Sequence, residues 1–496
     1  MRLRETYMAQ SPNVLLIMAD QLVPFLTGAY GHAVVITPHL DQLVQEGVRF
    51  DAAYTPYPLC APARAACMTG RYASDLGCYD NAAVLHADEP TLAHYLTNAG
   101  YETVLSGKMH FIGPDQLHGF RRRLTTDVYP ANIDWVPATD ESGRFPAGGH
   151  ARLYVEPNVG VRPWTKFLSY DEETHFRALE YVRERGRTKP SEPFFLVVSY
   201  HHPHDPFHVT QELWDLYEGV DIEMPHYPAN LQATYSVMDR WLNEVHETEA
   251  VDLGAPDNLY QLRRAYYGLV SYIDRKVGEL LAALEQTNQR DNTIVVFTSD
   301  HGDMLAEKLM VQKRCFYEWS ARVPLIVQLP DQQAAGRKIA DPVSLLDLVP
   351  TLLDWAGVPM EDRLSMDGVS LAQLIDGTND GERAIFGEYH VEKVRAPCFM
   401  VRQGRYKYIY IHGYDTQLFD LEADPGEWNN LAGQPELQLV EQRLRELILE
   451  RFDPERIAAD GAASVRKRLV VRQALQRNDI HWDYFPYFDA TRQYVR

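Results

Sequence analysis

Cysteine is scarce in this 496-residue chain: five residues, Cys60, Cys67, Cys78, Cys315 and Cys398, with no paired spacing. An odd, sparse set fits a reducing compartment better than a disulfide framework. Long apolar runs are also lacking, and no window reaches the length of a membrane-spanning helix. The N-terminal stretch MRLRETYMAQSPNVLLIMADQ breaks its apolar run at Asp20 and has no small-residue cleavage site. It reads as a first strand, not a signal peptide, so a soluble cytoplasmic protein is expected. Positive charge is in deficit, 48 Lys and Arg against 69 Asp and Glu, a net −21. That balance argues against nucleic acid or an anionic membrane surface as a partner. An anionic substrate would need locally concentrated cations. Internal repeats and low-complexity tracts are absent.

What is present is strand–helix alternation. NVLLIMA (13–19), FFLVVSY (194–200) and TIVVFTS (293–299) are continuous apolar runs, as in strands buried on both faces. Thr37-Pro38 opens a helix that stops at Gly47, with the threonine suited to the N-cap and the proline to the first turn. A second short helix covers 91–99, YETVLS follows it as a strand, and a long helical pattern runs from 259 to 286. The expected fold is α/β, a large mostly parallel sheet flanked by helices, over residues 1–380. Past the loop DGTNDG (376–381), FMVRQGRYKYIYI and QLFDL read as antiparallel strands. Residues 381–496 are therefore expected to form a smaller C-terminal α+β domain ending in an aromatic tail, IHWDYFPYFDATRQYVR. So dense an aromatic segment should dock on the body or on another subunit.

In open α/β sheets the carboxyl ends of strands carry the chemistry. Asp20 ends the first strand, and Asp300-His301 follows TIVVFTS. Lys108 and His110 follow YETVLS, while His201, His202, His204 and Asp205 follow FFLVVSY. Asp20, Asp300 and His301 could form a divalent-metal set of two hard oxygens and one imidazole. Asp300 could equally be a plain helix cap. The two prolines in HHPHDP splay its histidines, so one inward histidine and two structural ones are expected. Cys60 opens LCAPARAACMTGR, where a thiol could be a structural residue, a ligand or a nucleophile.

Cys60-Ala61-Pro62-Ala63-Arg64, with Met68-Thr69-Gly70-Arg71, resembles the signature of formylglycine-dependent sulfatases of the alkaline phosphatase superfamily. The resemblance spans almost the whole chain through NVLLIMADQ, TPHLDQLVQEGVRF, GKMH, SDHGDM, RVPLIV, DGVSL and QLFDLEADPGEWNNLA. Within that family it is most similar to choline sulfatases, through YDNAA, LSGKMHFIGPDQLHGF, RLTTDVYP, HPHDPF and EWSARVPL. The resemblance implies that a maturation enzyme oxidises Cys60 to Cα-formylglycine. Its hydrate carries two hydroxyls on one carbon, one to attack sulfur and one whose collapse expels sulfate. It implies further that Asp20, Asp300, His301 and residue 60 bind one divalent ion. Arg64 would hold the hydrate, Lys108, His204 and Lys313 would bind sulfate, and His110 would be the base that regenerates the aldehyde. The proton donor to the leaving oxygen would be His204 or Lys313. Cys67 reads as a buried structural thiol.

Two positions depart from the wider family, Asp20-Gln21 in place of paired aspartates and His301 in place of asparagine. The imidazole moves the metal preference from Ca2+ toward Mn2+. Asn81, Trp135 and Glu388-Tyr389 stand where a choline sulfatase would contact the headgroup, although Trp135 could also be simple packing. Segment 141–161 departs from the choline-sulfatase pattern. The expected substrate is a small alkyl or aryl sulfate ester of the choline-O-sulfate kind. Rival readings are a phosphonate monoester or phosphodiester hydrolase on the same scaffold and a non-catalytic metal-binding relative. By the same resemblance the tail would build a homo-oligomer, a dimer or tetramer.

Overall fold

A computed structural model describes residues 11–140, 143–377 and 383–487. Its centre is an eight-stranded sheet made of β1 (Asn13–Asp20), β2 (Val48–Phe50), β3 (Glu102–Gly107), β4 (Arg122–Arg123), β5 (Phe194–Pro203), β6 (Thr293–Ser299), β7 (Leu325–Gln328) and β8 (Arg337–Ile339). The spatial order is β8-β2-β7-β6-β1-β5-β3-β4. β1, β3, β4, β5 and β6 run parallel, while β7 runs antiparallel to both of its neighbours. The sheet is thus mostly parallel, as the unbroken apolar runs require.

Alternation explains those runs. Val14, Leu16 and Met18 face one core with Val197 and Val296, whereas Leu15, Ile17 and Ala19 face another with Val198 and Phe297. Neither face of β1 meets water, so every position from 14 to 19 must be apolar. The first core is covered by the helices α1 (Cys60–Thr69) and α2 (Leu92–Asn98), and the second by α3 (Pro256–Gln286). Parallel register aligns the strand ends: Asp20 pairs with Pro203, Gly107 with Ser199, and Ala19 with Ser299. One edge of the sheet therefore collects Asp20, Lys108, His204 and Asp300-His301.

The helix at Pro38–Glu46 starts where the sequence places it, but its expected cap is corrected. The Thr37 hydroxyl accepts from Gly28 N at 2.8 Å and donates to Asp41 Oδ1 at 3.2 Å. The free helix amides of His39 and Leu40 are instead taken by the carboxylate of Asp274, on α3.

A four-stranded antiparallel meander, Ala384–Tyr389, Cys398–Gln403, Tyr406–Ile411 and Thr416–Asp420, follows the main sheet. It shares a core with Ala66, Tyr72 and Leu346 and is covered by the helix Gln438–Arg451. The loop expected as a boundary lies partly outside the described residues. The aromatic tail, described to residue 487, lies on the body: Trp482 packs by Ala82, Ile112, Ile133 and Val136, and Asp483 Oδ1 accepts from Ala131 N at 2.9 Å. Among the described residues no helix is long and apolar enough to cross a membrane.

Candidate active site

Cys60 is the first residue of α1, a helix in which every side chain is buried. Alanines at 61, 63, 65 and 66 let so short a helix sink into the protein. Asn81 Oδ1 accepts from Ala61 N at 3.0 Å, satisfying one of the free amides at this helix start. Residue 60 thus sits at a helix N-terminus, where negative charge is favoured.

Arg64, one turn on, is fully buried and fixes the acidic side of the site. Its Nε donates to Asp300 Oδ2 at 2.9 Å, Nη2 to Asp20 Oδ2 at 3.1 Å, and Nη1 to Lys108 O at 2.7 Å and Ser199 Oγ at 2.8 Å. The Lys108 ammonium also contacts Asp20. Burial and the Cys60 thiolate would raise the Asp20 carboxyl, but Lys108, His204 and Arg64 hold it well below the usual range.

The ligand atoms of Asp20, Cys60, Asp300 and His301 all lie within 4.8 Å of one another. His301 Nδ1 donates to Gly302 O at 3.0 Å, which fixes the tautomer and leaves the Nε2 lone pair 3.2 Å from Cys60 Sγ. Gly302 has no substitute, since a Cβ there would lie 2.0 Å from Trp319 O. Asp20 Oδ1 is buried and receives no hydrogen bond from the described residues. An orphaned carboxylate oxygen, a fixed imidazole lone pair and two buried acids at one point fit a divalent cation.

Five thiols are buried, yet only one is activated. Burial pushes Cys67, Cys78 and Cys315 up to about 12 and also raises Cys398. Burial acts on Cys60 too, but Lys108, Lys313 and His301 outweigh it and hold the thiol well below its ordinary value.

Lys108 follows Gly107, whose φ of +102° turns the chain off the strand and whose Cβ would lie 2.0 Å from Ser199 O. His110 has φ +58°, and Asp127 Oδ2 accepts from both Met109 N and His110 N, at 3.0 and 2.9 Å. Among the described residues both ring nitrogens of His110 lack a hydrogen-bond partner, and its ring lies among Tyr129, Trp135 and the Cys60 thiol. Of the histidine run, His202 Nδ1 donates to Asp171 at 2.6 Å and His201 stacks on Phe167 at 4.1 Å. Only His204 lines the cavity: Nδ1 donates to Asp205 O at 2.8 Å, and Nε2 lies 2.9 Å from Lys313 Nζ. Burial would lower His204, but the Asp205 carboxylate raises it.

Gln21, at φ +65°, stands out in the sequence only as a departure; in the structure it is a hub. Its amide oxygen accepts from Lys313 Nζ, and its amide nitrogen donates to Asp303 and, at 3.1 Å, to Asp205 Oδ1. A second aspartate here would add charge; the glutamine positions Lys313 instead.

Above Cys60 opens a cavity of about 480 Å3, lined by Asn81, Tyr129, Trp135, Phe145 and the loop after the first strand of the C-terminal sheet. Trp135 is 47% exposed and meets Tyr129 edge-on, so it is a cavity wall and not core packing. Glu388 is a correction. Its Oε1 accepts from Ser74 N and its Oε2 from His390 Nε2, both at 2.9 Å, and neither oxygen reaches the cavity. Tyr389 OH is turned away as well, donating to Glu392 O at 2.8 Å. The chain leaves the strand at Tyr389, so the acid this loop brings to the cavity wall is Glu392. With Arg314 and Lys393 it belongs to loops, and His150 opens a short 3-10 turn; none of these carries a periodic signal, and sequence reasoning passes over all four.

A family model described as Sulfatase matches residues 12–358, and one described as N-sulphoglucosamine sulphohydrolase, C-terminal, matches residues 306–453. The choline-sulfatase of Rhizobium meliloti (strain 1021) is 39% identical over 98% of this chain and 96% of its own. An arylsulfatase of Clostridium perfringens is 30% identical over 89% and 94%. The crystal structure of the phosphonate monoester hydrolase of Agrobacterium radiobacter superposes with a TM-score of 0.69 at 26% identity, covering 88% of this chain and 95% of that one.

Proposed function

The chain belongs to the sulfatase family, and from that premise we propose that it hydrolyses small alkyl or aryl sulfate monoesters, with Cys60 matured to Cα-formylglycine by a separate maturation enzyme. Asp20, Asp300, His301 and residue 60 hold one divalent cation, for which the imidazole of His301 favours Mn2+ over Ca2+. The matured residue supplies a hydrated aldehyde in place of a thiol, and the cation supplies Lewis-acid polarisation.

The remaining work falls to this chain's own side chains. Arg64 orients Asp20 and Asp300 and offsets their charge. Lys108, His204 and Lys313 converge on the space over residue 60 and hold the nonbridging sulfate oxygens, where charge accumulates in the transition state. His204 has its Nδ1 proton tied to Asp205 O, so its Nε2 face is the one that protonates the leaving oxygen. Lys313, held by Gln21, keeps that nitrogen company and stabilises the departing anion. His110, adjoining residue 60, takes the proton when sulfate is expelled.

The observation that carries this reading is the single activated thiol among five, placed at the helix start beside the metal-fitting set. The tryptic peptide 50–64 from enzyme matured in its host should carry an aldehyde at residue 60. Cys60→Ala should lose at least about 1,000-fold in kcat with an unchanged thermal transition, as expected when a covalent nucleophile is removed. An unmodified thiol in a fully active enzyme contradicts the proposal. A phosphonate monoester hydrolase is the second reading, favoured by the likeness to the Agrobacterium radiobacter structure.

A further inference from the structure

The cavity over residue 60 holds more positive charge than one sulfate group requires. Beyond His204 and Lys313, its wall carries Arg314 and Lys393. Arg314 is occupied: its Nη2 and Nε donate to Glu392 Oε1 at 2.9 and 3.2 Å, and its Nη1 to Gln312 Oε1 at 2.8 Å. Asp205, the other acid of the wall, accepts from the side-chain amides of Gln21 and Gln312.

Lys393 has no such partner. Its Nζ faces His150, 3.1 Å from Nε2 and 3.4 Å from Nδ1, and among the described residues it makes no ion pair. Behind His150 lies the ring of His246 at 5.2 Å, with Nε2 unpartnered. Among the described residues no carboxylate lies within ion-pair distance of Lys393, although Glu392 and Asp205 act on it from further off. Burial and the nearby Arg314 drive the Lys393 ammonium well below its usual range, and the same forces lower His150 and His246. A half-buried ammonium whose nearest polar neighbours are imidazole nitrogens is poorly compensated until an anion arrives.

The rest of the wall suits an unsaturated leaving group. Trp135, Tyr129 and Phe145 offer ring faces and edges around the same space. Those rings alone would also suit a quaternary ammonium. The acid needed to hold one, Glu392, is already neutralised by Arg314, and Lys393 would repel it.

We propose that the corner formed by Lys393 and His150 binds a second anionic group, a carboxylate or sulfonate, carried on the leaving group of the sulfate ester. Lys393 is then the residue that sets specificity within the reaction, and the loop after the first strand of the C-terminal sheet is the element that supplies it. The inference rests on the sulfate-ester reading and narrows its substrate class.

The test compares kcat/KM for 4-carboxyphenyl sulfate and 4-sulfonatophenyl sulfate with the neutral amide analogue, 4-carbamoylphenyl sulfate, on matured, metal-loaded enzyme. One charge-assisted contact predicts that at least one anionic ester is favoured by about tenfold or more over the amide. Lys393→Met should bring that ratio to within about twofold of one, and Lys393→Arg should keep most of it. Choline-O-sulfate should be a poorer substrate than the favoured anionic ester. Turnover of the amide with no anionic preference overturns the inference and leaves the sulfatase reading standing. So does a ratio that survives Lys393→Met, or choline-O-sulfate as the best ester. Turnover of no sulfate ester at all overturns both.

Discussion

Glu388 and Glu392 stand four residues apart, both buried, and do different things. Glu388 ties Ser74 N to His390 Nε2 inside the protein, whereas Glu392 holds Arg314 on the cavity wall. Glu388→Gln should cost about 1–3 kcal/mol of stability in urea denaturation, the range for a buried charged hydrogen bond, and leave KM within about twofold. Glu392→Gln should release Arg314 into the cavity and shift KM for sulfate esters. A KM change in the first variant and none in the second would reverse these assignments. At this scale the sequence told much about the residues at strand ends, because ionisable side chains gathered after a buried strand are costly unless they meet one another at a site. Asp20, Lys108, His204, Asp300 and His301 converge in this way, joined by Cys60, Arg64 and Lys313, which only the family resemblance singled out. It told little about Glu392, Arg314 and Lys393, whose placement depends on where irregular loops turn.

The elements themselves were legible wherever burial on two faces or a long helical period left one solution, as in β1, β5, β6 and α3. The helix at Pro38–Glu46 shows where that fails, since its cap comes from Asp274, more than 230 positions away. Burial outweighs the two amides and pushes the Asp274 carboxyl up to about 7. Its unfolded value is about 3.9, so between roughly pH 4 and pH 7 the folded protein binds the extra proton. Stability from this group therefore falls as pH rises through that window and is flat above it. Asp274→Asn cannot titrate, so wild-type stability minus that of the variant should drop by a few kcal/mol from pH 4 to pH 7. Parallel pH profiles in urea denaturation would refute the assignment.

For the whole molecule, a net charge of −21 works against an anionic substrate, and the buried cations of the cavity reverse that field locally. Two units build the cavity: the large sheet supplies residue 60 and the sulfate cations, and the C-terminal sheet supplies the loop with Glu392 and Lys393. The tail adds a third contact by covering Ala82 and Ile133, leaving Phe485 and Tyr487 exposed at 75% and 87%. Such rings fit our proposal that the tail builds an oligomer. Truncation after Asp479 should then lower the molecular mass in solution by light scattering, and an unchanged mass would remove the idea.

The most direct test of the central claim is a comparison of kcat/KM for an aryl sulfate, an aryl phosphonate monoester and an aryl phosphodiester with the same phenol, on matured, metal-loaded enzyme. The sulfate should be preferred, since a singly charged, three-oxygen group matches the cations set by Lys108, His204 and Lys313. A preference for the phosphonate or the diester would contradict it and make this chain a phosphoryl-transfer enzyme on a sulfatase scaffold.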